Sequence, residues 1–135
     1  MDLGFGVFDK HFEEMPEQCY NTGAAEQASM DVAIGLALAG KIPFVYSITP
    51  FLLFRPFEAL RTYVNHEKIR VNLVGAGRDY CYKHDGVSHW ANDAGSVLST
   101  LPNINTFWPL EKQEIPDILL TMIDNKQPNF ISLKR

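Results

Sequence analysis

Short β-rich runs alternate with helical stretches along this chain, and that alternation limits its fold more than any other feature. Phe8, Phe12 and Met15 recur at helical spacing, and Pro16 closes that segment. The run Gln18-Cys19-Tyr20-Asn21 reads as a possible strand. Thr22-Gly23 leads into a helix from about Ala24 to Ala39, ended by Gly40 as helices commonly end. The second half of this helix is apolar almost all round, which predicts burial, and its Ala and Gly residues predict close approach of other backbone. Ile42-Pro43-Phe44-Val45-Tyr46 is the next expected strand, with Pro43 near its start or at an edge. Thr49 to Arg55 reads as a Phe-rich connecting turn, and Pro56 as the start of a helix with Phe57, Leu60 and Val64 on one face.

Val71 to Val74 is a further strand. Gly75 to Asn92 has no regular period, and loops of that length in compact domains are usually functional or mobile. A helix from about Asp93 to Thr100, a strand near Ile104 to Phe107, a helix near Glu111 to Ile123 and a strand at Phe130 to Leu133 complete the pattern. The alternation predicts an α/β fold: a three-layer, mainly parallel sheet with helices on both faces. Ligands of such sheets sit beyond the carboxyl ends of the strands. The segments Asn21 to Gln27, Ser47 to Arg55 and Gly75 to His89 each follow an expected strand and should gather there.

Composition narrows the function classes. The 135 residues fit one domain, and 46 % apolar residues suffice for a core. A net charge of −4 gives no reason to expect nucleic acid as a partner. The longest apolar run, Val32 to Ala39, is too short to span a bilayer, and no basic amphipathic helix suggests membrane-surface binding. Cys19 and Cys81 form no CxxC pair, and Met1-Asp2-Leu3-Gly4 does not begin a secretory signal, so a reduced cytoplasmic setting is expected.

Glu26 stands in the first turn of the long helix, where acids commonly complement the helix dipole. Its neighbours, however, are small and apolar. A carboxylate held in such a place tends to have a raised pKa and a specific partner. His84 and His89 share the long loop; a metal pair is one reading of them, but the sequence places no third ligand.

Asn21-Thr22-Gly23-Ala24-Ala25-Glu26-Gln27, followed by Gly35-Leu36-Ala37-Leu38-Ala39-Gly40-Lys41-Ile42-Pro43-Phe44-Val45, resembles the pyrimidine-binding domain of transketolases. Phe51-Leu52-Leu53-Phe54-Arg55-Pro56-Phe57-Glu58-Ala59-Leu60-Arg61 is similar to that family's Phe-rich turn and the helix after it. Asp85-Gly86-Val87-Ser88-His89 is similar to its D-G-x-[ST]-H loop. Leu101-Pro102-Asn103-Ile104 and Trp108-Pro109-Leu110 are similar to its closing segments. Five motifs in the correct order span nearly the whole chain.

The resemblance implies thiamine diphosphate as cofactor. Glu26 would hydrogen-bond N1′ of its aminopyrimidine and activate it, which is acid–base chemistry at a shared proton. Phe51 would stack on the pyrimidine, with Ile48 and Phe54 as neighbouring walls; Ile48 stands where many relatives carry Phe. Asp85 and His89 would face the hydroxyls of a sugar phosphate, with His89 also in a catalytic role. Val87 and Trp90 depart from the family loop at positions that bear on substrate preference. Without the resemblance, Phe51 and Phe54 read simply as core residues.

The family holds the cofactor's diphosphate and Mg²⁺ through a second domain with a G-D-G motif, and no G-D-G occurs in this sequence. The family's third, C-terminal domain is not seen, and the match starts at Asp2-Leu3-Gly4, just after the place of a first strand. The expected protein is therefore a single pyrimidine-binding domain lacking that strand. It would be one subunit of a split enzyme that self-associates and joins a diphosphate-binding partner. Two-carbon ketol transfer between sugar phosphates is the leading activity. The alternatives are 1-deoxyxylulose-5-phosphate synthesis, 2-oxoacid decarboxylation, or a non-catalytic regulatory subunit.

Overall fold

The computed structural model describes residues 6–135. The expected start of the family match at Asp2-Leu3-Gly4, and the question of a strand before it, lie outside the described residues. Four strands form one parallel sheet in the order β1-β2-β4-β3. They are β1 (Phe44–Ile48), β2 (Asn72–Ala76), β3 (Asn105–Phe107) and β4 (Asn129–Leu133). Parallel neighbours need long crossovers, and helices supply them. The helices are α1 (Asp9–Glu14), α2 (Glu26–Leu38), α3 (Thr49–Phe54), α4 (Phe57–Ala59), α5 (Ala94–Ser99) and α6 (Ile115–Asp124).

Successive side chains of a strand point to opposite faces, and the two faces here meet different helices. Val45, Leu73 and Phe130 pack with Met30 and Ile34 of α2, Leu52 and Leu53 of α3, and Leu98 of α5. Val74 and Ile131 turn the other way and pack with Met122 of α6. Phe8, ahead of α1, meets Tyr46 edge-on at 4.9 Å between ring centres, on this second face. Strand β2 is buried along its whole length, as expected for a central parallel strand covered on both sides. The three-layer α/β architecture expected from the alternation is therefore the one observed, and the four later strands lie within two residues of their expected positions.

Three local expectations are corrected. Gln18-Cys19-Tyr20-Asn21 is not a strand: Pro16–Gln18 is a tight 3₁₀ turn, with Cys19 donating back to the Pro16 carbonyl. Thr49 to Arg55 is not a connecting turn but contains α3. Pro50 lies in the first helical turn, where its missing N–H leaves no bond unmade, and Leu52 and Leu53 give the helix a buried side. The second proline, Pro56, does mark a helix start, and α4 runs on as a π-helical segment, Leu60–His66, that buries Leu60 and Val64. Finally, α2 is not buried all round. Met30, Ala33 and Ile34 face the core, while Val32 is exposed and Leu38 is 71 % exposed.

A row of asparagines crosses the sheet at its N-terminal end. Asn72, Asn129 and Asn105 begin β2, β4 and β3, and they are direct register partners across the strands. The Asn129 side-chain amide donates to Oδ1 of Asn72 at 2.8 Å and accepts from the Asn125 side chain at 2.8 Å.

Candidate functional site

The carboxyl ends of β1 and β2 lead into the two segments that build the site. At the end of β1, Ile48 is buried and α3 begins at Thr49. The Thr49 hydroxyl donates to the Gly77 carbonyl at 2.7 Å, with the Ala76 carbonyl at 3.2 Å, and so ties α3 to the chain leaving β2. Gly75 leaves room for this joint: a Cβ there would lie 2.6 Å from the Thr49 hydroxyl and 2.9 Å from the Phe130 ring.

Past Gly77 the chain enters the long loop. Gly77 has φ +80°, and a Cβ there would run into the Tyr82 ring. Gly77→Ala is therefore expected to destabilise the fold by about 1–3 kcal/mol, through a strained backbone and a displaced ring. Urea unfolding measures this directly, and an unchanged midpoint would mean that the loop shifts freely. The loop is not irregular throughout. Asp79 and Ala91 form an antiparallel bridge that closes it, and inside it Lys83–Asp85 and Val87–His89 are tight 3₁₀ turns.

Glu26 opens α2 directly after Ala25, which makes no side-chain cap. Only 5 % of it is exposed, and its Oε1 lies 2.7 Å from Nη1 of Arg55. An acid serving only the helix dipole would sit in water; this one is buried and bound to a cation from another element. Arg55 follows α3 directly, four residues after Phe51. At that helical spacing its guanidinium carbon lies 3.8 Å from the Phe51 ring centre. The His89 ring meets Phe51 edge-on, 4.8 Å between centres, and Tyr82 stands 6.4 Å beyond His89. The His89 Nδ1 pairs with the Ser88 hydroxyl at 3.0 Å.

Glu26 and Phe51 thus meet through Arg55, with His89 against the Phe51 ring, and the three segments expected at the sheet edge do gather there. Asp85 is exposed in the loop's first turn. Phe54 lies elsewhere, lining a shallow surface groove with Phe57, Ser96, Val97 and Thr100. On the other side of the loop, a cleft of about 240 Å³ is lined by Tyr46, Gly77, Tyr82, Lys134 and Arg135. Burial pushes the hydroxyls of Tyr46 and Tyr82 up from the ordinary phenol range, so both stay protonated at neutral pH. Sequence reasoning does not single out Arg55. Its signal is the four-residue spacing from Phe51, and that spacing has meaning only on a helix.

The site can grip a flat, N–H-bearing group. Glu26 accepts from the edge of the Arg55 guanidinium while Phe51 lies against its face. An aminopyrimidine sharing a proton at N1′ is likewise planar and presents N–H to a carboxylate. The residues present therefore suit the pyrimidine of thiamine diphosphate. Among the described residues, no group of three or more His, Cys, Asp or Glu side chains could hold a metal ion, and no helix is long and apolar enough to cross a membrane.

Residues 2–135 match the family described as transketolase, pyrimidine binding domain. Over 121 residues the chain is 31 % identical to one of the subunits of an apulose-4-phosphate transketolase from Actinobacillus succinogenes, covering 90 % of this chain and 39 % of that protein. It is 29 % identical over 132 residues to a 1-deoxy-D-xylulose-5-phosphate synthase from Desulforudis audaxviator, covering 98 % of this chain and 20 % of the relative. A solved split-gene transketolase, in an inactive beta4 tetramer, matches with a TM-score of 0.85 at 30 % identity, over 99 % of this chain and 43 % of that one. The chain spans under half the length of each of these proteins.

Proposed function

The chain belongs to the transketolase pyrimidine-binding domain family, and on that premise we propose that it binds and activates the aminopyrimidine of thiamine diphosphate in a transketolase-type enzyme of more than one subunit. The observation that carries this reading is the buried Glu26 carboxylate, which shares one flat N–H-bearing group with the Phe51 ring at the carboxyl edge of a parallel sheet.

Each residue has a part. Glu26 accepts the N1′ hydrogen bond and holds the proton there. Burial keeps water from competing for that bond. Phe51 stacks on the pyrimidine, and Ile48 packs behind it. Phe54, which faces its own groove with Phe57 and Val97, takes no part in this wall. His89 stands against the Phe51 ring with Asp85 on the same loop, and the two orient the hydroxyls of the substrate. When bound, thiamine diphosphate supplies the reacting carbon and the electron sink for two-carbon transfer.

The chain acts as one pyrimidine-binding domain within a hetero-oligomer. A partner subunit supplies the diphosphate and Mg²⁺ ligands, and two-carbon ketol transfer between sugar phosphates in the cytoplasm is the reaction. The relatedness to one subunit of an apulose-4-phosphate transketolase supports this assembly. The relatedness to a 1-deoxy-D-xylulose-5-phosphate synthase favours that reaction as the second reading.

Purifying the tagged chain from its own cells tests the assignment. A co-purifying subunit that carries G-D-G is expected, and the pair should transfer two carbons from ketose phosphates to an aldose. Turnover of pyruvate with glyceraldehyde 3-phosphate would move the assignment to the second reading. A chain that recruits no thiamine diphosphate under any pairing would overturn both.

A further inference from the structure

Arg55 holds both of the groups assigned to the pyrimidine. Its Nη1 lies 2.7 Å from Glu26 Oε1, and its guanidinium carbon lies 3.8 Å above the Phe51 ring centre. One ring face takes one plane at van der Waals distance, about 3.5–4 Å between carbons, so a second flat group cannot share that face. The same limit applies to the carboxylate oxygen and its direction of approach. We propose that Arg55 is a competitor built into the site, which occupies Glu26 and Phe51 and must be displaced before the aminopyrimidine docks. This rests on the reading that those two residues hold the pyrimidine.

The geometry says which member of the pair moves. Glu26 is 5 % exposed and fixed at the start of a helix, whereas the Arg55 side chain is 46 % exposed. Arg55 can swing outward without breaking a core contact, because it follows α3 directly and carries no buried apolar group. Its presence also has a structural benefit: a carboxylate as buried as Glu26 is costly to leave unpaired, and Arg is a permanent donor. A docked state that first requires Arg55 to leave binds more weakly by the fraction of time the site is open. Cofactor binding and the internal ion pair are therefore mutually exclusive.

The test is thiamine diphosphate binding, measured by titration calorimetry and stopped-flow fluorescence. It uses the complex purified through the tagged full chain in four forms: unaltered, Arg55→Met, Arg55→Lys and Glu26→Ala. Arg55→Met is expected to lower Kd by about 3- to 30-fold, the combined worth of an ion pair open to water on its Arg55 side and a cation–π contact, and to speed association. Arg55→Lys keeps the charge but not the flat stack, so its Kd should fall between the two; it decides the matter alone if Arg55→Met does not assemble. Equal or weaker binding by the Arg55 variants, with Glu26→Ala weakened, would overturn the competition while leaving the pyrimidine site intact. Unaltered affinity in a folded Glu26→Ala complex would overturn the pyrimidine site and the competition with it.

Discussion

Glu26→Ala is expected to reduce two-carbon transfer by the assembled enzyme roughly 10²–10⁴-fold, the range that a positioned acid–base group contributes. The folded structure should survive, because Arg55 is half-exposed and water can take over its freed N–H groups. Loss of activity with retained far-UV circular dichroism and retained subunit pairing would therefore report on chemistry. Glu26→Gln refines the result: it keeps the shape and one acceptor but cannot exchange a proton, so it should fall nearly as far as alanine. If both variants stay within a few-fold of the unaltered complex, Glu26 is an ordinary helix-start acid and the chain is a non-catalytic subunit of its assembly.

Phe130→Ala should have the largest effect on stability, a loss of about 3–5 kcal/mol, because truncating a buried aromatic removes transfer free energy and leaves a cavity. Phe130 is fully buried on β4, with Trp108 tilted against it at 5.8 Å between ring centres. It also fills the space that the missing side chain of Gly75 leaves open beside Thr49. A gap there would loosen the joint at which the Thr49 hydroxyl ties α3 to the loop. Urea unfolding of the variant would give the value; a loss under about 1 kcal/mol would mean that the site collapses around the gap. Cofactor binding should weaken in the same variant, since that joint positions Phe51 and His89.

The strands are legible in the sequence because each is a short β-branched or aromatic run bounded by Gly, Pro or Asn. The helix α2 is legible from its period, and Glu26 stands out as the only charge in a small, apolar stretch. Besides the turn at Pro16–Gln18, which reads as a strand, two things are not legible. The segment from Thr49 carries Pro50 and two Phe residues, which suggest a turn; only tertiary burial of Leu52 and Leu53 makes it helical. Without that helix the Phe51–Arg55 spacing has no meaning, and the Glu26 partner stays hidden. The exposure of Val32 and Leu38 is hidden for a different reason: hydropathy counts how apolar a helix is, not how many of its sides the chain can cover.

The asparagine row bears on the opposite end of the molecule. Asn72, Asn129 and Asn105 share one level of the sheet at its N-terminal end, whereas Glu26, Phe51 and His89 cluster at the other. The row acts like the zero mark of a ruler whose reading is taken at the far tip. A slip of one residue at the mark moves a strand tip by about 3.3 Å and turns its side chains to the wrong layer. Alignment errors would thus be felt in the core and in the chemistry together. Residues at the base, which touch no ligand, would answer for how well the top performs.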